Sequence, residues 1–222
     1  MAQAQSKPNW FVIGISAAVV VVLIALGVVV VWMNNRATDG GPAPASSKAF
    51  SAETGAISFG TGKDKVAVFV DFQCPVCKNF EEQFGPSLEK AAEANKITLS
   101  YHPIAILDRY SQNTEYSSRS AGAAVCVASQ EPDKYLAFAQ LLFDNQPEEN
   151  TPGLETSQLA DFAKQAGADK SASCITDETY KKFGAAQADS HQINATPTVE
   201  INGKRLDLSN QADLQKLVKL IS

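Results

Sequence analysis

The sequence has few of the cysteines and histidines that form structural zinc sites: its 222 residues include four cysteines and two histidines. A zinc site takes about four such ligands. Apart from Cys74 and Cys77, the candidates are far apart and none are paired at short spacing: His102, Cys126, Cys174 and His191. We therefore expect no metal site and no cofactor.

The sequence also lacks a basic stripe interleaved with aromatic residues, and it contains no internal repeat. Charged residues make up 19% of the chain, and the formal net charge is −5. Domains that bind nucleic acid usually carry a clustered positive patch. Nucleic acid is therefore not an expected partner.

What the sequence does contain is a Cys-X-X-Cys motif, formed by Cys74 and Cys77. It directly follows residues 65–72, an apolar run that predicts a buried strand, and it precedes a predicted helix over residues 75–94. Strand, Cys-X-X-Cys and helix in this order are typical of a redox-active thiol pair. Half of a zinc site and an inert disulfide are the alternatives, and the scarcity of other ligands disfavours the zinc site.

The helix start explains why the two thiols should differ. Pro75 has a helical φ and no amide hydrogen to lose, so it suits the first helical position and makes Cys74 the N-cap. A sulfur there faces unpaired amide hydrogens and the positive end of the helix dipole, which lowers the thiol pKa. We expect Cys74 to exchange with substrates and Cys77 to resolve.

Residues 10–32 form an apolar run without charge, bracketed by Trp10 and Trp32. About 20 such residues cross a bilayer, and the run is longer than the roughly 7–15 residues of a signal-peptide core. We therefore favour an uncleaved transmembrane anchor over a cleaved signal. Residues 1–9 are then a cytoplasmic N-terminus and residues 33–50 a flexible linker.

Residues 51–222 suit one domain of ordinary size. The patterns predict a strand, a helix and another strand, then a helical block over about residues 111–190. A hairpin with strands at residues 198–201 and 205–208 around Asn202-Gly203, and a last helix, are predicted to follow. The predicted fold is α/β: a mixed sheet with an inserted helical domain, preceded by one transmembrane helix.

Two segments carry a resemblance to a known family. Residues 69–78 read Phe-Val-Asp-Phe-Gln-Cys-Pro-Val-Cys-Lys, and residues 195–199 read Ala-Thr-Pro-Thr-Val. Together they resemble the active-site segment and the cis-proline loop of the DsbA-like thiol oxidoreductases of the thioredoxin superfamily, over roughly residues 50–222. The resemblance implies a thioredoxin-like fold, with a cis Pro197 lying against the cysteine pair. It also implies that Thr196 offers its backbone to an extended substrate.

The anchored form with a long linker resembles oxidoreductases of Gram-positive actinobacteria. This implies a single-pass protein of the cell membrane whose domain lies outside the cytoplasm. Its expected partners are exported unfolded proteins bearing cysteines and a membrane protein that reoxidises or reduces the active site. The expected function is a thiol-disulfide oxidoreductase that introduces disulfides into secreted proteins through Cys74 and Cys77. The alternatives are a disulfide reductase or isomerase that uses the same site, or a non-catalytic holdase that binds peptides.

The chain departs from many members of that family at two positions. Val68 stands where many relatives carry a buried acid six residues before the first cysteine, and Asp71 is the nearest acid in the strand. Whether Asp71 relays a proton to Cys77 is left open. Val76 stands where the strongest oxidases have histidine, and it adds no charge that would stabilise a thiolate. Pro75 and Val76 are thus the predicted redox-tuning residues.

Cys126 and Cys174 lie in the helical block. Four cysteines permit three pairings, and the Cys-X-X-Cys spacing leaves these two as partners. A disulfide closing a loop of this size stabilises by about 4 kcal/mol in the chain-entropy model. We predict a structural disulfide, with a second redox relay as the alternative.

Overall fold

The computed structural model describes Gly27 and residues 41–222. The predicted anchor at residues 10–32, the N-terminal residues 1–9 and the first part of the predicted linker lie outside the described residues, apart from Gly27. In the part of the chain that is described, no helix is both long and apolar enough to cross a membrane. The residues from 41 onward belong to one structural unit, Gly40–Ser222.

A mixed sheet lies at the centre of this unit. Its five strands, in chain order, are β1 (Ile57–Phe59), β2 (Asp64–Val70), β3 (Ile97–Pro103), β4 (Thr198–Ile201) and β5 (Lys204–Arg205). They are arranged in the order β1-β3-β2-β4-β5. Strand β2 pairs parallel with β3 and antiparallel with β4, and both edge strands are antiparallel to their neighbours. The predicted α/β fold with a mixed sheet is confirmed.

Strand β2 is apolar on both faces, as a strand covered from two sides requires. Val66, Val68 and Val70 are each at most 1% exposed and belong to the main core. Phe69 packs in a smaller cluster with Ile104. Helix α1 (Pro75–Glu93) connects β2 to the parallel strand β3. The start of α1 therefore lies at the carboxyl end of the central strand, where α/β folds commonly place their functional sites.

Between β3 and β4 the chain forms helices and turns without any strand, and all of these residues are described. The α-helices are α2 (Tyr116–Gln130), α3 (Tyr135–Asp144), α4 (Thr156–Gln165), α5 (Ala172–Thr176) and α6 (Phe183–Ser190). Helix α2 is buried almost all round, from Tyr116 to Ala128, because small residues such as Ala121 and Ala124 let its neighbours pack closely. It is the core of the helical insertion.

The predicted hairpin is present, but its second strand is shorter than expected. Asn202 and Gly203 have φ of 53° and 77°, the two positive values that a type I′ turn needs. Strand β5 ends at Arg205, not at Leu208 as predicted. The Leu206 amide still donates to the carbonyl of Val199 at 2.9 Å. The chain then leads to helix α7 (Gln211–Ile221), whose N-cap Asn210 accepts bonds from two amides of that helix.

Candidate active site

Cys74 and Cys77 lie at the junction of β2 and α1. The amide of Cys74 donates to the carbonyl of Asp71 at 3.0 Å, which closes a turn after the strand. Cys74 is the N-cap of α1 in an extended conformation, and Pro75 is the first helical residue. Neither cysteine forms a disulfide bond in this structure. Cys74 is 6% exposed and Cys77 is fully buried, so Cys74 is the more accessible of the two.

The surroundings of Cys74 favour its thiolate. Its pKa is lowered from 9.0 to about 6, chiefly by a hydrogen bond from the thiol of Cys77. The side chain of Thr196 and the amides of Cys77 and Val76 act in the same direction, and burial opposes them. At neutral pH Cys74 is therefore mostly ionised, as the helix-start argument predicts.

Cys77 behaves in the opposite way. Burial raises its pKa well above 9.0, and the hydrogen bond to Cys74 and the charge of Cys74 raise it further, against a contrary effect of the Asp71 amide. Cys77 therefore keeps its proton while Cys74 is ionised. This difference supports Cys74 as the exchanging sulfur and Cys77 as the resolving one.

The loop before β4 brings Thr196 and Pro197 to the cysteine pair. The peptide bond between these two residues is cis. The carbonyl oxygen of Thr196 lies 3.3 Å from the sulfur of Cys74 and accepts a bond from its thiol. This bond belongs to the protonated form, because a thiolate has no hydrogen to donate. Ionisation of Cys74 therefore frees the Thr196 carbonyl to accept another donor.

An apolar groove lies beside these residues. It is lined by Val76, Asn79, Phe80, Gln83, Phe84, Pro197, Leu208 and Leu214. Val76 is 59% exposed, which is unusual for a large apolar side chain in this domain.

Asp71 is fully buried. Its carboxylate accepts the amides of Gln73, Ile106 and Leu107, at 2.9, 2.9 and 3.2 Å, and the hydroxyl of Ser117. Burial raises its pKa from 3.8 to about 6 against these bonds. Since its bonds run to the loop after β3 and to α2, Asp71 holds the active-site turn to the insertion. Only its backbone amide acts on Cys77.

Two glutamines join the active-site turn to the insertion, and sequence reasoning did not find them. Gln73 donates to the carbonyl of Tyr110 at 2.9 Å. Gln146 donates to the carbonyls of Phe72 and Cys74, at 2.9 and 3.0 Å. The position of Gln73 next to the Cys-X-X-Cys motif could have indicated its role. Gln146 lies 72 residues beyond Cys74, and no nearby sequence pattern indicates its role.

The remaining candidates lie outside the site. Cys126 and Cys174 form a disulfide that joins α2 to α5. His102 in β3 and His191 after α6 each contact the carbonyl of Thr54, at 3.0 and 2.9 Å, so they tie the start of the domain to the sheet and to the end of α6. Among the described residues, no group of three or more His, Cys, Asp or Glu side chains is placed to hold a metal ion.

Comparison with known proteins connects this site to a family. A family model described as thioredoxin matches residues 59–220. The structure of oxidised DsbA from Mycobacterium tuberculosis superposes with a TM-score of 0.66 and 31% sequence identity, over 75% of this chain and 93% of that chain. Disulfide bond formation protein D of Bacillus subtilis is 26% identical over 171 residues, which are 72% of this chain and 73% of that protein.

A further relative is the serine/threonine-protein kinase PknE of Mycobacterium tuberculosis, 32% identical over 136 residues. The match covers 59% of this chain but only 24% of the kinase, so the likeness concerns one part of that larger protein. The family match spans most of the described domain and includes both cysteines and the loop of Pro197. The chain therefore belongs to the thioredoxin family, among its DsbA-type thiol-disulfide oxidoreductases.

Proposed function

We propose that this protein is an extracytoplasmic oxidase that introduces disulfides into exported proteins through Cys74 and Cys77. The observation that carries the proposal is the pKa of Cys74, lowered to about 6 at the start of α1. A stabilised thiolate favours the reduced form of the pair, and a pair with a stable reduced form is a strong oxidant.

The proposed reaction begins with the pair oxidised. A thiolate of the substrate attacks the sulfur of Cys74, a mixed disulfide forms, and Cys77 leaves and takes up a proton, which its raised pKa favours. A second substrate thiolate then attacks the substrate's own sulfur in the mixed disulfide. Cys74 leaves as a thiolate, which its low pKa makes a good leaving group. The substrate loses two electrons and the pair gains them.

Thr196 and the apolar groove are the proposed substrate-binding surface. The Thr196 carbonyl, freed when Cys74 is not a thiol, accepts an amide from an extended peptide in the manner of strand addition. Side chains next to the substrate cysteine rest on Val76 and Phe80 in the groove. Recognition through the backbone and through apolar contacts suits unfolded proteins of varied sequence.

The proposed location is the cell membrane, with the domain outside the cytoplasm. The uncharged run from Trp10 to Trp32 supports an anchor, and the disulfide between Cys126 and Cys174 fits an oxidising compartment. Continued oxidation of substrates requires a partner that removes electrons from the reduced pair. A membrane redox protein is the proposed partner.

The deciding experiment is the redox state of Cys74 and Cys77 in growing cells, measured by alkylation of free thiols after acid quenching. An oxidase is held mostly oxidised, and a reductase or isomerase is held mostly reduced. Purified protein should also reactivate a reduced, unfolded substrate faster than it reduces insulin, and Cys74→Ser should do neither. A mostly reduced pair in cells would replace the oxidase proposal with the reductase one.

A further inference from the structure

Gln146 contacts the active-site turn from the helical insertion. It follows the end of α3, in the loop that leads to α4. Its side-chain nitrogen is bonded to two carbonyls of one turn: that of Phe72, at 2.9 Å, and that of Cys74 itself, at 3.0 Å. Gln146 thus belongs to the helical insertion, and its side chain donates a hydrogen bond directly to the backbone carbonyl of Cys74.

The loop that carries Gln146 is fixed at several points. The guanidinium of Arg119 donates to the carbonyl of Leu154 at 2.6 Å, and Gln112 donates to the carbonyl of Asn150 at 2.6 Å. The Asn150 amide donates in turn to Tyr110 at 2.6 Å, on the carbonyl that also accepts Gln73. These bonds fix the loop, so the side-chain amide of Gln146 is held in place before any substrate arrives.

The position of this amide bears on the charge of Cys74. The Cys74 carbonyl also accepts the amide of Lys78 at 3.2 Å, the first backbone bond of α1. The groups that lower the pKa of Cys74 are uncharged: a thiol, a hydroxyl and backbone amides. Where neutral dipoles govern a thiolate, one more donor on the same residue matters, because its hydrogens bring partial positive charge and fix the turn that aims the other donors.

We propose that Gln146 is a positioning residue for Cys74: its amide favours the reduced, thiolate-bearing pair over the disulfide, so that the helical insertion sets part of the oxidising strength. The proposal deepens the function proposed above and rests on dithiol exchange at Cys74. Its tests are equilibrium properties of the purified protein, and these do not depend on whether cells use the pair to oxidise or to reduce.

The experiment compares Gln146→Met, Gln146→Glu and Gln146→Asn with wild type. Methionine keeps the length of the side chain without its donors, glutamate keeps the shape but adds negative charge, and asparagine keeps the amide on a shorter side chain. The matched control is Gln140→Met, because Gln140 donates from α3 to Asp144, at 2.7 Å, on the exposed surface. The measurements are thiolate absorbance against pH, the equilibrium constant with glutathione, and unfolding of the oxidised and reduced forms.

Loss of a neutral hydrogen bond changes an equilibrium constant by about fivefold. We therefore expect Gln146→Met to raise the Cys74 pKa by about half a unit or more and to weaken oxidation of glutathione by about fivefold. Gln146→Glu should raise the Cys74 pKa and weaken oxidation of glutathione further, because it adds negative charge. Gln140→Met should match wild type in both measurements. The reduced form of Gln146→Met should lose more stability than its oxidised form, because the two differences are linked.

A purely structural role gives a different result. Equal losses of stability in both forms, with the Cys74 pKa and the glutathione constant of Gln146→Met at wild-type values, would overturn the proposal. If Gln146→Met does not fold, Gln146→Glu decides on the same readouts, and a Cys74 pKa at or below that of wild type contradicts the proposal. A mostly reduced Cys74–Cys77 pair in wild-type cells would count against the proposed function, and the Cys74 pKa and glutathione constant of purified Gln146→Met would still decide this role.

Discussion

At the scale of single residues, the chemistry depends on the difference between two thiols three positions apart. Cys74 has a pKa of about 6, and Cys77 has a pKa raised well above 9.0. One pKa unit corresponds to about 1.36 kcal/mol between the two protonation states. In the reduced pair, Cys74 therefore holds the negative charge at neutral pH, and Cys77 holds the proton that hydrogen-bonds it.

The first prediction separates the roles of the two sulfurs. In Cys77→Ser, Cys74 should still form a mixed disulfide with an exported protein, but residue 77 could no longer resolve it. These mixed disulfides should therefore accumulate and be visible on non-reducing gels. Cys74→Ser should form none, because residue 77 is fully buried. Full exchange activity in Cys74→Ser would show that the nucleophile is assigned wrongly.

The second prediction concerns Val76, whose exposed side chain lies beside Cys74 without charge or hydrogen bond. Val76→His places a titratable cation near the thiolate, so the Cys74 pKa should fall and the reduction potential should rise. The wild-type potential should lie between the thioredoxin and DsbA values of about −270 and −120 mV, and each ~30 mV of change is about 1.4 kcal/mol.

The measurement for Val76→His is a glutathione titration paired with thiolate absorbance. Val218→His is the matched control, since Val218 is also a large exposed apolar residue, 48% exposed, but lies on α7 and does not line the groove. A potential that is unchanged in Val76→His would mean that residue 76 does not act on the thiolate.

At the scale of elements, the disulfide between Cys126 and Cys174 ties α2 to α5 across 48 residues. Replacing both cysteines with serine should lower the free energy of unfolding by about 4 kcal/mol in the chain-entropy model. Exchange at Cys74 should persist, because this bond lies outside the active site. Mass spectrometry should find the bond intact under reductant that opens Cys74–Cys77, and free thiols at both positions in native protein would contradict the prediction.

A second element-scale prediction concerns Glu81, on the face of α1 that packs against the sheet and α3. Tyr101 donates to one of its oxygens at 2.9 Å, and the other oxygen is buried without a partner. Burial raises the pKa of Glu81 from 4.5 to about 7; the bond from Tyr101 lowers it and the charge of Glu89 raises it. The hydroxyl of Tyr135, also buried and unpartnered, lines the same narrow cavity.

The sign of the pH effect follows from the raised pKa. Folding favours the protonated form of Glu81, so its contribution to stability is complete below pH 4.5 and is lost as the pH rises through about 7. Glu81→Gln cannot ionise, so its stability relative to wild type should increase across this range by up to about 3 kcal/mol. Denaturant unfolding of both proteins between pH 4 and 8 measures the difference, and a constant difference would show that Glu81 does not titrate there.

At this scale, features that depend on neighbouring residues could be predicted from the sequence, and contacts between distant residues could not. Pro75 after Cys74, and Asn202-Gly203 between two short strands, act through neighbouring residues, so the start of α1 and the hairpin could be predicted. The bonds of Asp71 to Ile106 and Leu107 join residues 35 and 36 positions apart, and those of Gln146 span more than 70. Such contacts depend on how α2 and α3 pack over the sheet, so they cannot be predicted from a local sequence pattern.

At the scale of the whole molecule, the site draws on parts of the chain that are far apart. The turn after β2 supplies the cysteines, the loop before β4 supplies Thr196 and Pro197, and the insertion supplies Gln146. The turn after the central strand, the loop before β4 and the insertion must therefore fold together before the site has this geometry. Partial unfolding of the insertion should change redox properties as well as stability.

The last prediction concerns how the chain is held in place. The run from Trp10 to Trp32 contains no charged residue, and each lysine at the centre of a spanning helix costs about 2.5–3.5 kcal/mol on insertion. The mature protein should remain in the membrane fraction after an alkaline wash, with its N-terminal residues retained. Val21→Lys combined with Val22→Lys should release it, whereas Ala45→Lys, in the linker, should not. An N-terminus near Ser46 in the mature protein would instead mean cleavage and a released domain. In the proposed chemistry, such an anchor would keep Cys74 at the membrane, where exported chains would emerge and where a membrane partner would reoxidise the pair.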